Sequence, residues 1–252
     1  SEVDINMLVV DTRQAHTKPQ LVLEYLHATR ADGIIALDGS LPDEILSVAS
    51  SGTGAPPIIF ACEWTPEGEF SSVRANNTCG ASLAIAHLAE LKHRRIGILT
   101  GPGDNVLTHT RSAGARREMA GRGLELDPSH VFSGDFSLES GARAAQAWLD
   151  LAHRPSALFC QSDQMAFGFI SELARNGVSV PDDVSVVGFD DIDIARRFIP
   201  ALTTVRQPRK KLGLYAAQML IDHVGTNASP AIETTILEVE LIVRGSTRAV
   251  DD

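Results

Sequence analysis

Short apolar runs alternate with amphipathic stretches along almost the whole chain, and this alternation limits the fold more than any other feature. Runs such as residues 57–61 and 156–160 hold no charged residue, which indicates strands buried on both faces. Between the runs, apolar residues recur at helical spacing, as they do over residues 78–92. Parallel sheets wrapped by helices satisfy both observations. We therefore predict an α/β fold with two doubly wound parallel-sheet lobes.

The individual elements follow from the same pattern, which restarts near His93 and so suggests a lobe boundary there. Strands are predicted over residues 7–10, 33–37, 57–61, 72–75 (at an edge), 95–100, 131–132, 156–160, 184–188, 202–206 and 236–244. Helices are predicted over residues 19–29, 78–92, 107–121, 137–151 and 163–175, with one more after Ser40 and a last one that begins at Pro208.

Composition narrows the function classes. A chain of 252 residues with 44% hydrophobic and 21% charged residues can bury a real core in one or two domains. Lysine and arginine number 22 against 32 acidic residues, for a net charge of −10. A freestanding nucleic-acid binder carries a basic face, and this chain has no surplus with which to build one. The sequence contains no run of 18 apolar residues, which is the length that a membrane-spanning helix needs.

The cysteines and the first six residues indicate the cellular compartment in which the protein is found. Cys62, Cys79 and Cys160 are odd in number and far apart, which argues against a disulfide scaffold, and we expect Cys160 to be a buried, inert thiol. Residues 1–6 contain two acids and no basic apolar stretch, so no signal peptide is visible. Free thiols fit a reducing compartment, and we expect a cytoplasmic protein.

Motifs that carry catalysis are missing. The sequence holds no Walker-type loop, no Gly-x-Ser-x-Gly elbow and no His-Glu-x-x-His pair. Gly101 and Gly103 follow a predicted strand, but Val106 occupies the third glycine position of a dinucleotide loop, so we interpret this stretch as a turn lining a ligand site. Asp190, with Asp191 and Asp193, could bind magnesium or simply form a turn in which acids favour a helix dipole. We predict no catalytic residue, no cofactor and no metal, and thus no enzyme.

Polar residues instead gather where the predicted strands end. In open parallel sheets, ligands bind beyond the carboxyl ends of the strands. Those ends carry Asp11, Arg13, Asp38, Glu63, Trp64, Ser162, Asp163 and Asp190. Carboxylates accept hydrogen bonds from hydroxyls, arginine donates a rigid fork and an aromatic ring stacks on an apolar face. This combination predicts binding of a sugar or a nucleoside. Asp11, Glu63 and Trp64 are predicted to contact the ligand only from their positions at strand ends, and Trp64 could equally pack at an interface.

Several longer motifs occur in order along the chain. They are HRRIGILTGP over residues 93–102, RSAG over 111–114, GDF over 134–136, ALFCQSDQMAFG over 157–168, VPDDVSVVGFDD over 180–191, PALTTVRQP over 200–208 and ELIVRGST over 240–247. Together they resemble the effector-binding and dimerisation core of the lactose-repressor (LacI/GalR) family of bacterial transcription regulators. The resemblance covers nearly the whole chain and is strongest to the cytidine-repressor branch.

This resemblance implies a periplasmic-binding-protein-like fold in which the chain crosses between lobes three times, near residues 93, 206 and 238. The N-terminal lobe would comprise residues 1–93 and 207–238, and the C-terminal lobe residues 94–206 and 239–252. The family forms homodimers, binds operator DNA through a helix-turn-helix head and senses a small-molecule effector in the cleft between the lobes. We expect the head, and the first strand and helix of the core, to lie outside this sequence.

The resemblance also implies roles for single residues. Arg111 matches the family's effector-binding arginine, and Asp190 matches the strand-end carboxylate that accepts bonds from effector hydroxyls. Phe136 matches the aromatic residue that stacks on a ring in the purine-repressor branch, although it could simply pack in its loop. Ser162 matches a ligand-binding amide position of the lactose repressor but could merely cap a helix. Asn77 matches a position that faces the ligand in some members.

Two other functions use the same fold. A soluble solute-binding protein for transport shares the two-lobed architecture, and a signal peptide encoded upstream would identify it, as a helix-turn-helix would identify a regulator. A sugar- or nucleoside-processing enzyme would release product on prolonged incubation with its substrate. The expected regulator function is the one that the motifs favour.

Overall fold

The structure is a computed structural model that describes residues 5–12, 20, 23–24, 31–50, 56–65, 70–224 and 231–250. The chain divides into two compact units, one formed by residues 1–74 and 210–235 and the other by residues 75–209 and 236–252. The first change of unit thus follows Arg74, whereas the sequence suggested a boundary near His93. The proposed lobe limits themselves stay a prediction.

The first unit is built on a four-stranded sheet. Its strands are β1 (Ile34–Ala36), β2 (Ile58–Ala61), β3 (Ser72–Ala75) and β9 (Thr234–Leu237), in the order β1-β2-β3-β9. The helices that can be given bounds among its described residues are α1 (Asp43–Ser50) and α6 (Arg209–His223). Strand β2 is parallel to both β1 and β3. The prediction that residues 72–75 form an edge strand was wrong, because β9 pairs on the far side of β3. Ile45 of α1 and Phe60 of β2 are fully buried in this unit's core.

Residues 7–10 were predicted as a strand, and this was wrong. They form no regular element, and Met7, Leu8 and Val9 are 86%, 65% and 80% exposed. An apolar run becomes a strand only where a neighbouring strand satisfies its backbone groups and covers its side chains. The helix predicted over residues 19–29 falls almost entirely outside the described residues.

The second unit is built on a six-stranded sheet. Its strands are β4 (Ile96–Thr100), β5 (Val131–Ser133), β6 (Ala157–Cys160), β7 (Ser185–Asp190), β8 (Thr203–Arg206) and β10 (Glu240–Ile242), in the order β10-β8-β7-β6-β4-β5. All pairs are parallel except that of β10 with β8. Its helices are α2 (Asn77–Glu90), α3 (Val106–Gly121), α4 (Leu138–Leu149) and α5 (Asp163–Arg175). This is the predicted doubly wound arrangement.

Both faces of the six-stranded sheet are covered, as the uncharged runs predicted. Leu158 and Cys160 of β6 point into a core shared with α4 and α5. Ala157 and Phe159 of the same strand point into a second core shared with α2 and α3. Side chains alternate between the faces of a strand, so a run that is apolar throughout is stable only when helices pack on both faces. Cys160 is fully buried, as expected.

Local sequence fixes where the helices of this unit begin. The side chains of Asn76, Asn105, Ser137 and Ser162 each accept a hydrogen bond from a backbone N–H in the first turn of α2, α3, α4 and α5, respectively. Such caps satisfy donors that would otherwise have no partner inside the helix. The starts of α4 and α5 therefore fall where the sequence predicted them.

The predicted strand over residues 236–244 is two strands in different sheets. Residues up to Leu237 belong to β9, and Glu240 then pairs with Arg206 at the start of β10. The hydrophobic pattern of residues 236–244 does not reveal the change of sheet, because both strands have a period of two. Within the parts of the chain that the structure describes, no helix is long and apolar enough to cross a membrane.

Candidate functional site

The polar residues of the second unit gather along one edge of its sheet. Strands β4, β6 and β7 are neighbours and parallel, so their carboxyl ends lie side by side. The strand order reverses between β4, which leads outward to β5, and β6, which leads to β7. In doubly wound sheets, ligands bind outside the carboxyl ends of the strands at such a reversal. We call the carboxyl ends of strands β4, β6 and β7, together with the residues that directly follow them, the carboxyl edge.

Arg111, on α3, is at the centre of the carboxyl edge and is 2% exposed. Its Nε donates to the side-chain oxygen of Asn77 at 2.9 Å, and its Nη1 donates to the backbone oxygen of Gln161. The guanidinium also lies 3.8 Å from the centre of the Phe189 ring, a cation–π contact. These contacts fix the plane of the guanidinium, so its orientation is set before any ligand arrives.

Asp190 ends strand β7 beside this arginine. Its carboxylate lies 3.7 Å from Nη2 of Arg111 and accepts a hydrogen bond of 2.6 Å from the side-chain amide of Gln207. Burial raises the pKa of Asp190, while the positive charge of Arg111 and the Gln207 bond act to lower it. The structure therefore brings Arg111, Asp190 and Asn77 together, and adds Gln207.

The turn after Asp190 is conformationally unusual. Asp190 and Asp191 have φ angles of 120° and 52°, in a region that costs residues other than glycine on the order of 1–3 kcal/mol each. Asp191 binds Arg206 and Arg244 through contacts of 2.6 Å each. Although burial acts to raise the pKa of Asp191, hydrogen bonds from the two arginines leave it lowered. Asp191 thus anchors the turn.

The acid cluster at residues 190–193 does not form a metal centre in this structure. No group of three His, Cys, Asp or Glu side chains with metal-binding geometry occurs among the described residues. The segment after β7 is a series of turns and not the start of a helix. Asp190 and Asp191 therefore contact arginines and backbone groups, and do not lie in the first turn of a helix.

Phe136 and Ser162 flank the same edge. Phe136 has a φ of 64° and is partly buried against the core of α4 and α5. A Cβ atom on Gly101, which follows β4, would lie 2.1 Å from the Phe136 ring, so the ring covers that glycine. Ser162 follows β6, and its hydroxyl accepts a bond from the backbone N–H of Met165 at 3.2 Å. Ser162 is therefore a helix cap, and the ligand role remains a prediction.

Two of the three candidates of the first unit, Glu63 and Trp64, come shortly after the end of its strand β2. Glu63, after β2, accepts a hydrogen bond from the backbone N–H of Gly39 at 3.1 Å. Trp64 packs against the unit's core, with the guanidinium of Arg74 lying 4.2 Å from its ring centre. Asp11 is exposed and does not end a strand, because residues 7–10 form none. Arg13 lies outside the described residues.

Sequence comparison places these features in a known family. Residues 85–247 match the family described as a periplasmic binding protein-like domain. Over 249 residues the chain is 35% identical to the HTH-type transcriptional repressor CytR of Escherichia coli strain K12, an alignment that covers 97% of this chain and 71% of that protein.

A structural comparison agrees. A LacI family transcriptional regulator from Enterococcus faecium with bound ribose superimposes with a TM-score of 0.79 at 28% identity, covering 90% of this chain and 84% of that one. The chain belongs to the LacI family. The transcriptional regulator CelR, solved as a complex with cellobiose, superimposes with a TM-score of 0.82 at 32% identity, covering 92% of this chain and 69% of that one.

The expectations about class are thereby confirmed. This LacI-family chain is the effector-binding core of a transcriptional repressor and is not an enzyme. The periplasmic-binding-protein-like α/β fold and the family resemblance are confirmed as well. The roles of individual site residues and the predicted cleft between the lobes stay predictions.

Sequence reasoning missed three polar residues at the carboxyl edge. The side chain of Gln161 accepts from the backbone N–H of Gly101 at 3.2 Å and donates to Ser112 at 2.8 Å, so it joins β4, β6 and α3. Gln207 directly follows β8, and its side-chain amide donates to Asp190. Asp163 was noted at a strand end and left out of the site. Each directly follows a strand or a cap, and that position was the available signal.

Proposed function

We propose that this LacI-family core binds a small molecule that carries a ribose or another sugar ring, with a nucleoside as the preferred class. The proposal depends on one observation: a buried arginine, Arg111, held by fixed hydrogen bonds beside the carboxylate of Asp190. A carboxylate next to an oriented guanidinium offers an acceptor and donors to the hydroxyls of a sugar. The LacI family regulator solved with ribose and the transcriptional regulator CelR solved with cellobiose support a hydroxyl-rich ligand.

The remaining candidates fit around this pair. Phe136 supplies an aromatic face for a base or for the apolar side of a sugar ring. Asn77 orients Arg111 through its side-chain oxygen. Ser162 stays a candidate contact, as do Asp11, Glu63 and Trp64 of the first unit. We assign the nucleoside preference to the combination of an aromatic ring with the Arg111–Asp190 pair, because a nucleoside has both a flat base and a ribose.

We further propose that the effector controls binding to operator DNA by a homodimer in the cytoplasm. The net charge of −10 argues that this core is not itself the DNA-contacting surface, which belongs to a helix-turn-helix head. Ile194 and Ile199, in the second unit, are 52% and 90% exposed, and Leu138 of that unit is 48% exposed. Single exposed apolar side chains are ordinary on a protein surface, so the proposed homodimer rests on the resemblance to the LacI family, and these three side chains are the first to substitute in testing it. Sedimentation that finds only monomer at micromolar concentration would contradict the dimer.

Titration calorimetry with cytidine, ribose and cellobiose tests the effector proposal. We expect at least one of the three to bind, and Asp190→Ala to weaken that binding by about 1–3 kcal/mol, because a partly buried charged acceptor is lost. Asp193→Ala, a matched change at an exposed aspartate three residues away, should leave affinity unchanged. Equal affinity for the wild type and Asp190→Ala would remove Asp190 from the site.

A further inference from the structure

Asp163 is a fully buried carboxylate that joins three elements. It is the first residue of α5 and is 0% exposed. One carboxylate oxygen accepts a hydrogen bond of 2.5 Å from the hydroxyl of Thr204 on β8. The other accepts a bond of 2.9 Å from the backbone N–H of Ile192, in the turn after β7. A single side chain therefore connects α5 to β8 and to the turn that carries Asp190.

The contact with Ile192 matters because of what precedes it. Asp190 and Asp191 are both in the positive-φ region, which is maintained only where surrounding contacts determine it. The backbone N–H of Asp163 also donates to the carboxylate of Asp190. The first residue of α5 thus holds both ends of the turn, with its backbone at Asp190 and with its side chain at Ile192.

The carboxylate of Asp163 fits closely against strand β7. A Cβ atom on Gly188 would lie 2.3 Å from the Asp163 Oδ1, so the carboxylate fills the space that this glycine leaves beside β7. Burying a carboxylate costs free energy that an uncharged side chain of the same shape avoids. A costly group in a fitted position, bonded to the segment that carries Asp190, points to a role at the site.

We propose that Asp163 is a positioning residue of the effector site, whose carboxylate holds the turn over residues 190–192 and so places the carboxylate of Asp190. This inference rests on the proposed function, in which Asp190 contacts the effector. Asp163 does not need to touch the effector itself.

The charge on Asp163 should make effector affinity depend on pH. Burial raises the pKa of Asp163 to about 7, the Thr204 bond acts to lower it, and the neighbouring charges of Asp190 and Asp191 add to the increase. The other titratable or charged groups near these carboxylates are the thiol of Cys160, Arg111 beside Asp190, Arg206 and Arg244 on Asp191, and Arg209, whose charge acts on Asp190 and which donates to the backbone oxygen of Asp191. An ionised acceptor holds the Ile192 N–H more strongly than a neutral one. Affinity should therefore fall as the pH decreases from 8 to 6.

Hydrogen exchange in the effector-free protein tests the turn directly. Asp163→Asn keeps the shape, because its amide oxygen can accept from Ile192 while its NH₂ donates to the Thr204 hydroxyl. We expect exchange of the Ile192 amide at pH 8 to be at least threefold faster in Asp163→Asn than in the wild type. Asp193→Asn, the same change at an exposed position in the same segment, should exchange like the wild type. Unchanged exchange in Asp163→Asn would overturn the proposal.

Calorimetry at pH 6, 7 and 8, with ribose and cytidine as probes, tests the link to the site. We expect Asp163→Asn to bind about three- to tenfold more weakly at pH 8 and to lack the change in affinity centred near pH 7. Thr204→Val removes the bond that lowers the pKa of Asp163, so the centre of that change should move to higher pH. If Asp163→Asn binds like the wild type at each pH, the positioning role is wrong. If neither probe binds the wild type, the proposed effector class fails, and the exchange result still decides what holds the turn.

Discussion

The guanidinium of Arg111 lies 3.7 Å from the carboxylate of Asp190, and Arg111 is almost completely buried. Asn77 and the Gln161 backbone accept from the same guanidinium, so the charge is buried with hydrogen-bond partners already in place. A buried ion pair contributes little net stability, but removing one member leaves the other without compensation. Substituting either residue should therefore destabilise the protein, and the pair lies at the carboxyl edge, where we propose that the effector binds.

Arg111→Lys should lower both stability and effector affinity. A lysine ammonium cannot reproduce the planar fork that reaches Asn77 and Gln161 at once, so buried acceptors lose their donors. We expect the free energy of unfolding to fall by about 1–3 kcal/mol in urea denaturation. Arg116→Lys, on the exposed side of the same helix, should stay within about 0.5 kcal/mol of the wild type. Equal stability of the two variants would show that the fork of Arg111 is unimportant.

The sequence predicted an element correctly wherever its hydrophobic pattern matches the burial of its side chains in the structure. The run over residues 157–160 specifies a strand covered on both faces, and Ser162 specifies where α5 begins. Residues 7–10 have the same apolar character and form no strand, because pairing depends on a neighbour that the run itself does not encode. Arg111 and Asp190 could be named from motifs. The bonds that Asp163 makes to Ile192 and Thr204 could not, since they join segments 29 and 41 residues away in sequence.

Asp163 should also make stability depend on pH. Its pKa is raised to about 7 in the folded protein, above the ordinary value of 3.8. The folded state therefore holds this proton more tightly, and the stability gained from it is complete below about pH 4 and lost as the pH rises through 7. Asp163→Asn is always neutral and escapes this loss. Relative to the wild type, it should gain a few kcal/mol of stability between pH 4.5 and 8.

Urea denaturation of the wild type and Asp163→Asn at several pH values measures this difference. Asp193→Asn is the control, because that aspartate is exposed, and its stability difference from the wild type should stay constant. A constant difference for Asp163→Asn as well would show that the buried carboxyl titrates normally.

His93 should make stability depend on pH in the direction opposite to Asp163. It is 3% exposed, with Nδ1 lying 2.9 Å from the Ser156 hydroxyl and Nε2 lying 3.1 Å from the backbone oxygen of Arg248. Burial lowers the pKa of His93, while the bond to Arg248 acts to raise it. The neutral ring thus contributes stability that is complete above about pH 6.5 and lost as the pH falls through the lowered pKa.

His93→Gln should therefore cost about 1–3 kcal/mol at pH 7.5, and its deficit against the wild type should shrink by pH 5. Urea denaturation at the two pH values measures the deficit, with His153→Gln at an exposed position as the control. A deficit that is the same at both pH values would mean that the His93 ring does not resist protonation.

Gly101→Ala tests the position of Phe136. An added Cβ would lie 2.1 Å from the Phe136 ring and 2.5 Å from the Thr108 hydroxyl, so the ring must leave its place over β4. Such overpacking typically costs about 1–3 kcal/mol. Gly103→Ala is a matched control two residues away, where an added Cβ meets no atom within 4 Å. We expect Gly101→Ala to lose stability in urea and affinity for whichever probe binds the wild type, and Gly103→Ala to lose neither. If Gly101→Ala lost stability but kept full affinity, Phe136 would pack the loop without contacting the effector.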